Sequence, residues 1–196
     1  MHPQLAKLNE QFARAADLAK AACTGLTEEQ LTLRVDSAEW SIAECLVHLN
    51  LSSETFLSEI NKACIEARQR QLHGDGPFRK DLRGRVLRWF MMPPARIKVR
   101  ARSILEPSMI GPVEKALPRF LELQCELQKL IEEADGLDLN RMMITSPLSK
   151  LVRYNLFACF EIVIAHQLRH LWQIEHIKNQ LRLNREHFLG KQIEIS

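Results

Sequence analysis

Apolar residues recur every three or four positions through four long stretches of this chain, and the breaks between them coincide with glycine and proline. A side chain returns to the same face of an α-helix after about 3.6 residues, so each stretch collects one apolar stripe that must be buried. Leu5, Leu8, Phe12, Ala15 and Ala19 mark a helix from Pro3 to Cys23, with Gly25 just past its end. A link from Leu26 to Glu39 follows. Ser41 and Glu44 then form a capping-box pair, and Leu49, Phe56, Ile60 and Cys64 carry a second helix towards Arg70. The Gly74–Pro77 cluster stops it. A third stretch, Val113 to Ala134, is closed by Gly136, and a fourth runs from Leu151 to about Gln180.

Strand patterning is nearly absent. Alternation is confined to Ile97–Ile104, and no Asn-Gly or Asp-Gly hairpin turn joins two apolar runs. The sequence therefore reads as all-α: a four-helix bundle with a long crossover between the second and third long helices. That crossover, residues 78–111, holds Pro93, Pro94 and Pro107 and leaves room for one short helix, Arg83–Met91. At 196 residues and 46% apolar, the chain is expected to form one domain, 1–196, with a sizeable core. Its longest apolar run, Leu156 to Phe160, is far short of the roughly 20 residues of a transmembrane segment, so none is expected. The first residues lack the order of a signal peptide, which points to the cytoplasm. Cys23, Cys45, Cys64, Cys125 and Cys159 are widely spaced without a C-x-x-C pair, and are expected to be free thiols acting as small apolar fillers.

Chemistry concentrates in the fourth helix. His166 and His170 lie four apart, one turn above the other on a face that Cys159 and Val163 direct to the core. Two neutral imidazoles so placed can each aim a nitrogen at one divalent metal ion. Two hydrogen-bonded core histidines would show the same spacing. The spacing is also that of H-E-x-x-H metalloproteases, but Gln167 stands where the general-base glutamate would be, which argues against a zinc protease. His48, on the flank of the second helix's stripe, can meet the pair across a bundle. Three protein ligands leave positions open for water or substrate, as in catalytic rather than structural sites.

The segments WSIAECLVHL (residues 40–49) and AHQLRHLWQ (residues 165–173) together resemble the DinB-like superfamily of metalloenzymes. In that family a Trp-Ser/Thr opening precedes the helix bearing one histidine, and a His-x-x-x-His pair on the last helix supplies two more. The resemblance implies a four-helix bundle with a long crossover and a divalent metal, zinc or nickel, held by His48, His166 and His170. Among reactions it implies transfer of a low-molecular-weight thiol, and hydrolysis is the other class such a site supports. A small-molecule substrate and a homodimer are the partners expected.

Around the histidines, Glu44 either orients the His48 ring or serves only as a cap. Gln173 is placed to hydrogen-bond a ligand histidine or substrate, and Ser52 to line the pocket. Trp40 and Trp172 either wall that pocket or pack in the core, and Arg169 is expected to reach solvent. His176 lies about 600° round the helix from His170, on another face, and is left out. His2, His73 and His187 are expected to be exposed.

Charge offers a rival reading. Between Arg79 and Arg102 lie nine Lys and Arg against Asp81 alone, in a chain whose net charge is +3. Trp89, Phe90, Met91 and Met92 interrupt them. Such a segment can bind an anionic surface or partner with no catalysis at all, gate the site for an acidic substrate, or pair with acidic helix faces such as Glu132–Glu133. No helix-turn-helix or zinc-finger spacing accompanies it, so nucleic acid is not an expected partner.

Overall fold

The computed structural model describes residues 1–94, 113–147, 149 and 151–193, with side chains placed as far as Arg182. The Ile97–Ile104 alternation, Pro107 and the basic residues Arg96, Lys98, Arg100 and Arg102 lie outside them, and the side chain of His187 does too. The described chain is mostly helical, with one small sheet.

Helix α1 (Pro3–Cys23) starts at a proline and is capped by His2, whose Nδ1 accepts the Gln4 N–H at 3.2 Å. His2 therefore caps a helix, with its ring edge-on to Phe78, rather than standing idle in solvent. The stripe read from the sequence is the buried one: Leu5, Leu8, Phe12, Ala15 and Ala19 are all in the core. The following link holds an unexpected short helix, α2 (Glu28–Thr32), closed at its start by a Thr27–Gln30 capping box. Helix α3 (Ile42–Gln69) opens on the expected Ser41–Glu44 box. Helix α4 (Leu82–Met91) lies in the crossover, and α5 (Val113–Glu133) precedes Gly136, whose φ of +82° is a turn that side chains resist.

The last helix begins later than its apolar pattern suggests. Residues Met143–Thr145 (β1) and Arg153–Asn155 (β2) pair antiparallel, Ile144 opposite Tyr154, and only then does α6 (Leu156–Ile193) start. Leu151, where the apolar pattern begins the fourth helix, is 90% exposed. Tyr154 and Leu156 are both buried, a spacing of two that belongs to a strand, since on a helix the two would lie about 200° apart. The true start carries its own signal, because Asn155 Oδ1 accepts the Ala158 N–H at 2.8 Å as an N-cap.

Helix α1 packs on α5 and α6, and α3 packs on the same two, with one apolar core between them. Arg119 pairs with Glu54 and Arg68 with Glu133, so α3 and α5 run in the same direction. Parallel neighbours require the chain to travel back along the molecule between them, and residues 70–112 make that connection. Within it α4 lies on α6 and β2. Gly84 permits the approach, since a Cβ there would overlap the Ala158 methyl and stand 2.8 Å from Asp81 Oδ1. Asp81 Oδ1 accepts from the Asn155 N–H, and Asn155 Nδ2 donates to the Arg79 carbonyl, which locks the start of α4 to the start of α6.

Lys80 and Arg88 pair with Glu161 on α6, not with Glu132 or Glu133, because α4 lies against α6 and not against α5. Glu133 is held by Arg68. Cys45, Cys64 and Cys159 are buried fillers, but Cys23 is only partly buried and Cys125 is exposed, since position 125 lies off the stripe that Phe120, Leu123 and Leu127 turn to the core. Among the described residues no helix is long and apolar enough to cross a membrane.

Candidate metal centre

The Ser41 cap fixes where α3 begins, and His48 follows within its first two turns. Both caps are made: Ser41 Oγ accepts from the Glu44 N–H, and Glu44 Oε2 accepts from the Ser41 N–H at 2.8 Å. Opposite, α6 presents His166 and His170 one turn apart. The three rings meet. Their centroids are 5.1 Å apart for His48 and His166, 4.6 Å for His48 and His170, and 4.7 Å for His166 and His170. One ring nitrogen from each lies within 4.8 Å of the others, and His48 Nε2 is 3.2 Å from His166 Nε2.

Burial governs the charge state of the cluster. Desolvation, then the neighbouring imidazoles, pushes His170 down to about 3 and holds His166 well below the usual histidine range. Both rings are therefore neutral at physiological pH, with a lone pair on each. His170 Nδ1 donates to Gln173 Oε1 at 3.1 Å, which leaves Nε2 as its lone-pair atom. Ser52 Oγ stands 3.4 Å from His166 Nδ1, so Nε2 of that ring faces His48. Nitrogens bound to one tetrahedral zinc ion sit about 3.3 Å apart, given bonds of about 2.0–2.1 Å. The 3.2 Å approach of two Nε2 atoms, from a donor set of three imidazoles, fits a divalent cation.

Trp40 covers the cluster, its ring 4.9 Å from His48 and nearly parallel to His170 at 6.0 Å. Gln173, Ser52 and Trp40 thus lie against the histidine rings. Glu44 takes the other of its two roles. Its carboxylate receives the Arg34 guanidinium on both oxygens and the Ser41 N–H, so it caps α3. Trp172 is half-exposed and stacks on His176, which places both away from the cluster. Two contacts were not legible in the sequence. Arg34 comes from the link before α3, where nothing in the local pattern marks it. Arg169 does not extend to solvent but donates from Nη1 to the Phe90 carbonyl at 2.9 Å, tying the end of α4 to the helix that carries both histidines. Beneath the site, Gln167 is buried and donates to Ser53, so the residue in the glutamate position of the protease motif faces α3.

Three imidazoles converging between two long helices of a mostly helical protein define a class: helical proteins with a histidine cluster able to hold a divalent cation. The chain belongs to the DinB superfamily, whose family model matches residues 11–174 and so includes all three histidines. No curated protein and no solved structure matches the chain significantly.

Proposed function

We propose that this DinB-superfamily chain binds one divalent metal ion, zinc or nickel, through His48, His166 and His170, and is a metal-dependent enzyme acting on a small molecule. The observation that carries this reading is the convergence of three ring nitrogens within 4.8 Å. Three neutral ligands would leave the cation's charge uncompensated, so the chemistry supplied is strong Lewis acidity, which lowers the pKa of a ligated water or thiol towards neutrality. That serves hydrolysis or the transfer of a low-molecular-weight thiol. Gln173 and Ser52 hold the outer Nδ1 atoms of His170 and His166, which keeps their inner lone pairs aligned. Trp40 shields one side of the cluster from water. We read the packing of α1, α3, α5 and α6 as a four-helix bundle forming one domain, and expect a cytoplasmic homodimer.

Cobalt(II) substitution tests the site and the reaction class together. The account predicts a visible absorption spectrum of low-coordinate cobalt that is lost in His170→Ala. A thiolate-to-cobalt band on adding a low-molecular-weight thiol selects thiol transfer, and ester turnover without that band selects hydrolysis. Absence of any histidine-dependent cobalt spectrum contradicts the metal site.

A further inference from the structure

Helix α4 carries two apolar faces where a surface helix ordinarily has one. Gly84 is buried against α6, and Leu87 and Met91 pack on the core. On the outer side Leu82 is 74% exposed, Val86 48% and Trp89 52%. At about 100° per residue, positions 82, 86 and 89 fall within about 60° of arc, a single ridge along the outer side of the helix. Arg83 falls to one side of that ridge and Arg85 to the other, and neither makes an ion pair with a described residue. Helix α4 contains no Asp or Glu, and the sequence beyond it continues with Arg96, Lys98, Arg100 and Arg102.

We propose that the outer face of α4 docks on an anionic lipid bilayer. Leu82 and Val86 enter the boundary between headgroups and acyl chains, Trp89 sits at that boundary, and the Arg83 and Arg85 stems lie along it with their guanidinium groups on lipid phosphates. The alternatives fit less well. A single file of three side chains offers far less than the roughly 800 Å² per partner of a stable protein interface. A second copy of the chain, docked by a two-fold axis, would set the same cations against each other. The proposal is independent of the metal site.

Co-sedimentation of the full chain with phosphatidylcholine vesicles, with and without phosphatidylserine, tests it. Binding is expected only with phosphatidylserine, should fall as salt is raised, and should drop at least about tenfold in Val86→Glu/Trp89→Glu and in Arg83→Glu/Arg85→Glu. These residues are exposed or half-exposed, and circular dichroism should show unchanged helix content. No binding at low salt overturns the proposal, as does equal binding to both vesicle types. Binding that survives both double variants overturns it too, since adhesion then lies elsewhere on the chain. A dimer in sedimentation velocity that Val86→Glu breaks assigns the face to a second copy and contradicts the lipid role.

Discussion

Gln173 does its work at one atom. Its amide oxygen fixes the proton on His170 Nδ1, so Gln173→Ala should weaken metal affinity by about 10–100-fold, measured by chelator competition, while Gln173→Glu retains it. Equal affinity in the alanine variant would make the contact incidental. Glu44 is a different case, since its role is to hold α3 in place. Burial alone would raise its pKa, but hydrogen bonds from Arg34 and Ser41 outweigh this and keep the carboxyl below its ordinary value. A group more acidic when folded adds stability above its unfolded pKa and loses it as pH falls through the folded value. The stability lost in Glu44→Gln should therefore be full at neutral pH and shrink in acid, as read by urea unfolding across pH. A loss independent of pH would contradict the ion pair. The histidines were legible because helical spacing alone puts two on one face and the Trp-Ser opening marks the third. Arg34 was not, because it lies in the link ten positions before Glu44 and no periodicity crosses a link.

At the scale of elements, the contact between α4 and α6 depends on having no side chain at position 84. Gly84→Ala should destabilise the fold by about 1–3 kcal/mol, as overpacked cores do, and adding Ala158→Gly should recover part of that loss. Thermal unfolding of the single and double variants measures it, and a neutral Gly84→Ala would mean that α4 shifts without cost. The long helices could be read because each repeats its stripe over many turns. The three-residue strands could not. They are shorter than the span over which alternation becomes visible, and the buried run of the following helix, from Leu156 on, continues directly from Tyr154 and masks the change of period. Asn155 is where the ambiguity could have been resolved, since a capping residue marks a helix start independently of periodicity.

Across the whole molecule, the parallel course of α3 and α5 forces a long return segment, and α6 then closes the core while carrying two of the three histidines to α3. Proline and charge made the return visible in the sequence, but not the side on which α4 would lie, which Gly84, Asp81 and Asn155 decide through contacts far apart in the chain. A metal bound only by the folded state should raise stability by about 2.7 kcal/mol at a hundredfold excess over Kd. Chelation should thus lower the Tm of the wild type and leave His48→Ala unmoved. The most direct test is elemental analysis of tag-free protein that has never met a metal column, beside its His166→Ala variant. One divalent ion per chain, lost in the variant with helix content retained, is the result this account predicts. No metal in either protein, even after divalent ions are supplied, would contradict it and leave His48, His166 and His170 as a hydrogen-bonded cluster of the core.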